Sequence, residues 1–219
     1  MPIMDRRRFL SLLPALPLAG AAQAEVGCQN RIEESFTLCQ VGLAEAIADR
    51  MARLQPANSN WCWAACLEMV FASHGSLVGM QRIVAEAYGR ESNFGADTRM
   101  LAALLTRRWI DDRGLPFASH CDVLWDAASG SRIAHAGGLA ALRLAEGQPL
   151  LIGPRSHAMV LIALAFAHTG HPESLQVTHA VVLDPIPGRG RRPLTRDELS
   201  ATSALLSPRV TPLAVAPAR

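Results

Sequence analysis

The sequence predicts an α+β domain in which helices come first, strands follow, and the helices pack on a mostly antiparallel sheet. Helical periodicity in the first half is one observation behind this: Ile47, Met51 and Leu54 are spaced for a helix, and Cys66, Met69, Val70 and Ser73 share one face. A second is the change after residue 148, where short runs rich in Val, Ile and Leu are bounded by Gly, Pro and His, the pattern of buried strands. The third is composition. With 219 residues, 50% hydrophobic and 18% charged, the chain can bury a sizeable core as a single domain.

Residues 1–24, MPIMDRRRFLSLLPALPLAGAAQA, read as an export signal and not as part of the fold. A basic start is followed by an apolar stretch broken by Pro14 and Pro17, then by the small-x-small site Ala22-Gln23-Ala24. Arg6-Arg7-Arg8-Phe9-Leu10 has the form of a twin-arginine export signal. The apolar stretch is too short to leave a stable membrane anchor once cleaved, so the mature protein is expected to start near Glu25 and to be periplasmic or secreted. The folded domain is expected over 25–206.

Residues 25–57 form a mixed lead-in that Gln55-Pro56 interrupts. A helix then starts with Ser59 or Asn60 as cap and ends at Gly75, placing Cys62 in its first turn. Two more helical patterns cover 79–88 and 97–109, the second opened by Asp97 and carrying Met100, Leu101, Leu104 and Leu105. The Gly-, Asp- and Ser-rich stretch 110–137 reads as loop with short strands, and a short helix over 138–145 ends at Gly147. Strands are expected at 149–152, 157–165 and 177–183. Thr195-Arg196-Asp197-Glu198 has the pattern of a capping box for a last short helix, and residues 207–219 read as a loose tail.

A net charge of +2, with no basic stripe interleaved with aromatics, argues against nucleic acid as a partner. The five cysteines are more telling, because an exported chain sits where spare thiols pair and an odd number leaves one over. The simplest partition bridges Cys28 to Cys39 and Cys66 to Cys121, which leaves Cys62 free. Four cysteines allow three pairings, so connectivity stays open at this level. Cys62 and Cys66 are spaced CxxxC, not CxxC, and no His-x-x-x-His accompanies them, so the spacing favours neither zinc nor any other metal. No cofactor is implied.

A cysteine at a helix N-terminus has its thiolate stabilised by unpaired backbone N–H groups and the helix dipole, which makes Cys62 a candidate nucleophile. His157, in PRSHAMVLIAL, and Asp184, in HAVVLDPIPG, stand at strand ends and can supply a base and a group that orients it. His179 is a rival base, but it lies on the strand that ends at Asp184, whereas a base and orienter on adjacent strands face each other more readily.

WCWAA heading a helix, a strand approached through His157-Ala158 and a strand ending Asp184-Pro185 together resemble the papain-like cysteine peptidases. The closest branch is the bacterial one that includes secreted effector proteases and bacteriocin-leader-processing peptidases, and the resemblance spans roughly residues 55–190. It implies a papain-like fold and cleavage of peptide or amide bonds through a thioester acyl-enzyme. It also implies Cys62 as nucleophile, His157 as general base and acid, and Asp184 as the third member, where papain has Asn. The family places an oxyanion-hole glutamine six residues before the cysteine. Here Pro56 occupies that position and Gln55 lies seven residues before Cys62, with Asn58 and Asn60 as alternative donors. The implied partner is a protein or peptide substrate, handled by a monomer. Two other readings compete: a papain-like domain that binds peptides without cleaving them, and a thiol–disulfide protein using Cys62 and Cys66.

Overall fold

The computed structural model describes residues 24–31, 35–57, 59–129, 133–154, 157–171 and 174–214. The proposed export signal therefore lies outside the described residues, apart from Ala24. The architecture is α+β: the described residues form six α-helices and nine strands, and their strand pairs are antiparallel.

The lead-in is more ordered than its sequence suggests. Strands β1 (Glu25–Arg31) and β2 (Phe36–Gly42) form a hairpin in which Cys28 faces Cys39, and these two cysteines are bridged. The periodicity at Ile47 and Met51 is realised in α1 (Glu45–Met51). The long α2 (Cys62–Ser73) follows, apolar on nearly every side, with Trp63, Leu67, Met69 and Phe71 fully buried. A helix without a polar face must be surrounded, and α2 is: it packs against α1, α3 (Met80–Tyr88) and strand β6 (Met159–His168). Gly75, at φ 79°, adopts the left-handed conformation that lets the chain turn away after α2. Asp97 caps α4 (Thr98–Leu104) by accepting from Met100 N at 2.7 Å, and this helix is shorter than the pattern over 97–109 implies. Its last residues turn into strand β3 (Arg108–Ile110), where the buried Trp109 packs on Phe71 and Phe117.

Two strands stand where the sequence suggests loop. The stretch 110–137 holds an eleven-residue strand, β4 (Pro116–Asp126), followed by α5 (Ile133–Ala145), which starts five residues earlier than expected. In β4 alternate residues Phe117, Ser119 and Cys121 are buried, but a serine at an inward position blurs the hydropathy alternation. The tail expected from Ser207 is no tail: Thr202–Pro212 is strand β9, and Ser207 is fully buried. Pro208 is tolerated in this strand because β9 pairs with β5 (Leu150–Pro154) only over 202–206. Pro208 therefore stands opposite Cys121 of β4 where the other edge has no ladder to lose.

The centre of the sheet carries the chemistry. β6 pairs with β5 through its first residues and with β2 through its last, while β7 (Gln176–Asp184) runs along its other edge and pairs in turn with β8 (Gly190–Pro193). The capping box is present: Thr195 accepts from Glu198 N, Glu198 accepts from Thr195 N, and α6 (Arg196–Ser200) follows.

The bridge expected between Cys66 and Cys121 is not formed; both are buried free thiols. Cys66 is enclosed by α2's own packing, and Cys121 sits on β4 with its sulfur against the Asp122 carbonyl at 3.8 Å. Parity of the count cannot supply proximity. Denatured, unreduced protein is accordingly expected to take up three alkyl groups, at Cys62, Cys66 and Cys121, as read by mass spectrometry; a count of one would restore the second bridge.

Candidate active site

The site forms where the N-terminus of α2 meets the ends of β6 and β7. The N-cap of α2 is Trp61, not Ser59 or Asn60, and no side chain caps the helix. No acidic residue stands in its first turn either, so the first N–H groups stay available to a negative charge at the helix head. Cys62 is the first residue of the helix and is partly exposed. Burial by itself would raise its thiol pKa, but the His157 side chain, backbone hydrogen bonds from Ala158 and Trp63, and attraction to the His157 ring together hold it below the ordinary range.

His157 precedes β6, its backbone N–H bonded to Pro154 O at 3.0 Å. Its Nε2 lies 2.8 Å from Oδ1 of Asp184, leaving Nδ1 as the ring nitrogen for the thiol. Burial opposes charging of this ring, yet the bond to Asp184, the bond to Cys62 and the charges of both raise its pKa to about 9. Asp184 closes β7 and its side chain is fully buried. Burial favours its neutral form, but His157, the Ile186 N–H at 3.0 Å and Arg192 hold the carboxyl well below the usual carboxylate range.

The structure thus brings together Cys62, His157 and Asp184. His179 pairs with Ala165 further along β7, away from the Asp184 end. The three candidate oxyanion donors fare differently. Gln55 reaches the strand end that carries Asp184: its backbone N–H donates to Pro185 O at 2.8 Å, and its Nε2 donates to Ser59 O at 2.9 Å. Asn60 is committed elsewhere, its Nδ2 donating to Asn93 O at 2.9 Å while Asn93 Oδ1 accepts from Asn60 N. Asn58 lies outside the described residues.

The WCWAA motif names the tryptophans beside Cys62 but not what they hold. Trp61 Nε1 donates to Ser92 O and Trp63 Nε1 to Phe94 O, so the tryptophans flanking Cys62 tie the loop after α3 to the head of α2. The group that no motif reveals is Arg192, bonded to both Asp184 and Glu198. Its signal in the sequence is faint: all 21 basic residues are arginine, so the run Arg189-Gly190-Arg191-Arg192 does not stand out.

Replacing Trp63 with phenylalanine removes the donor to the Phe94 carbonyl and empties part of a fully buried site. The expected cost is about 1–3 kcal/mol, the lost hydrogen bond and the cavity together, measured by urea unfolding.

Cys66 lies one turn past Cys62 and is fully buried. Its thiol is raised well above the ordinary range by burial, then by the charges of Cys62 and Asp184. Burial and the neighbouring Asp122 push Cys121 up to about 12. Neither is a nucleophile at neutral pH.

No protein-family model matches this chain, and no curated protein matches it either. Among solved structures it is similar to a double glycine motif protease from an AMS/PCAT transporter, solved in complex with the leader peptide. That match has 13% identity and a TM-score of 0.42, covering 74% of this chain and 91% of that one. It is also similar to UfSP from C. elegans, again with 13% identity and a TM-score of 0.42, covering 94% of this chain and 36% of that one. The chain therefore spans about a third of the length of UfSP. Likenesses this distant decide nothing about the chemistry, and the functional reading rests on the side chains.

Proposed function

We propose that this protein is an exported papain-like cysteine peptidase that cleaves peptide or amide bonds with Cys62, His157 and Asp184. The observation that carries this reading is geometric: Cys62 heads α2 against the His157 ring, whose Nε2 is held 2.8 Å from the buried Asp184 carboxylate, and these contacts lower the thiol pKa and raise that of the imidazole. Opposite shifts of this kind favour a thiolate–imidazolium pair at neutral pH, which is what nucleophilic catalysis by sulfur needs.

The Cys62 thiolate attacks the substrate carbonyl, and the N–H groups at the head of α2 and the second amide hydrogen of Gln55 receive the oxyanion. His157 passes its proton from Nδ1 to the leaving amine, which departs and leaves a thioester on Cys62. His157, now neutral, takes a proton from water as the water attacks the thioester. The acid product then leaves, Cys62 departs from it as thiolate, and the ring that kept the water's proton restores the ion pair. Asp184 stays ionised throughout and holds Nε2.

Because both members must be in the right state, activity is expected to rise as Cys62 ionises below the normal thiol range and to fall near pH 9 as His157 loses its proton. The imidazolium also contributes to stability. A histidine raised above its unfolded value of about 6.5 gives its full contribution below that pH and loses it as pH climbs towards the folded value.

Iodoacetamide on the native protein at pH 6 tests the proposal. Cys62 alone should be labelled, and at a rate that changes little down to mildly acidic pH; a rate that rises tenfold per unit up to about pH 8.5 is that of an ordinary thiol and rejects the ion pair.

Export rests on the signal-like residues 1–24, the Cys28–Cys39 bridge and the match between the expected cleavage point and the start of β1 at Glu25. Among the described residues no helix is long and apolar enough to cross a membrane.

A further inference from the structure

We propose that Arg192, braced by Glu198, is a positioning residue of this site: it grips Oδ2 of Asp184 and so fixes Oδ1 on Nε2 of His157. The inference rests on the peptidase reading above and adds a fourth and fifth member to it.

The two oxygens of Asp184 face different clients. Oδ1 meets His157 Nε2 at 2.8 Å and accepts from Ile186 N at 3.0 Å. Oδ2 accepts from Arg192 Nε at 2.9 Å, with Arg192 Nη2 at 2.8 Å. Nη2 also meets Glu198 Oε1 at 2.7 Å, and Nη1 meets Glu198 Oε2 at 2.9 Å, so the guanidinium lies between two carboxylates in bidentate geometry. Nη1 also reaches the Pro193 carbonyl at 3.2 Å and Nη2 the Met159 sulfur at 3.3 Å. A planar fork held at so many points has little freedom to rotate, and the carboxylate it holds inherits that rigidity.

The fold makes the grip local. β7 and β8 are joined by a turn closed by Arg189 N donating to Ile186 O, and Arg192 stands opposite Val182 in the ladder, next to the strand end that carries Asp184. Glu198 is set in turn by the capping box at the start of α6. A chain of contacts therefore runs from α6 through Arg192 and Asp184 to His157. Arg189 also approaches Asp184, 3.5 Å from Oδ2 and half-exposed, and on the buried side of the site the Asp184 charge helps keep the Cys66 thiol protonated.

This arrangement explains why the third member is aspartate where papain has asparagine. If an asparagine kept its oxygen on His157, its NH2 would point at the Nε and Nη2 donors of Arg192, donor against donor. Only a carboxylate satisfies both neighbours.

The test is the pH dependence of Cys62 alkylation by iodoacetamide in the wild type, Arg192→Lys and Glu198→Gln, with thermal melts run in parallel. Lysine keeps the charge but not the fork. Glutamine keeps the capping position, where it serves as well as glutamate, so this variant should fold even if changes at Arg192 do not. When the grip slackens, the carboxylate turns from the imidazole, the imidazolium loses support and the thiolate loses its partner.

Both variants are expected to move the acid limb of alkylation upward and to slow labelling at pH 6 on the order of tenfold. A lowered melting temperature with an unmoved acid limb would give Arg192 and Glu198 a merely structural role and overturn the proposal. If the wild type itself titrates as an ordinary thiol, the peptidase reading fails and this inference fails with it. A depressed wild-type limb that the variants do not move sinks only the inference.

Discussion

Replacing His157 with alanine is expected to slow alkylation of Cys62 at pH 6 by roughly 100-fold or more, because a thiol without its imidazolium partner is almost wholly protonated there. Burial pushes the Cys62 thiol up, and the hydrogen bond and charge of the imidazolium must overcome that push to bring it below the ordinary range. Removing the ring leaves burial opposed only by the backbone groups of Ala158 and Trp63. Hydrolysis should fall further than alkylation, since the leaving amine also loses its proton donor, worth about 100- to 10,000-fold. Profiling against a peptide library measures this, with Cys62→Ser as the floor. His179→Ala, altered at the other end of β7, should behave as wild type in both assays. Wild-type labelling by His157→Ala would remove the base from the proposal.

The second large effect is expected at Asp184. Alanine there leaves Arg192, His157 and Glu198 around a cavity with one carboxylate fewer, and taking one partner from a buried ionic cluster costs about 3–5 kcal/mol. For a domain of this size that is a drop in melting temperature on the order of 10 °C. Asp184→Asn removes the charge, and it can accept from Nε2 only with its NH2 set against the Arg192 donors, so the His157 pKa should fall from about 9 towards its ordinary value and bring the alkaline limb of activity down with it. NMR titration of the His157 ring in both variants checks the sign. A pKa unchanged in Asp184→Asn would mean that the carboxylate does not set the charge state of the base.

How much could be read before folding differs from residue to residue, for physical reasons. Helix signals are local, so the periodicity of α2, the Asp97 cap and the Thr195–Glu198 capping box all appear in the structure near where their residues promise them. The helical-head position of Cys62 is equally local. Strands depend on partners far along the chain, and β4 and β9 were hidden by Ser119, Ser207 and Pro208, polar or helix-breaking residues placed where neighbouring strands accommodate them.

Residue order alone specified the kind of chemistry available: a cysteine heading a helix, and a histidine and an aspartate each bordering a buried apolar run. Which of these groups meet was left to the fold. It joined Cys28 to Cys39 while leaving Cys66 and Cys121 unbridged, turned Gln55 towards Pro185 and Asn60 towards Asn93, and set Arg192 behind Asp184. The difference is one of range. Propensity and helix-end electrostatics act over a turn or two of chain, whereas hydrogen bonds, ion pairs and disulfides act over a few ångströms of space that pairing of distant strands creates.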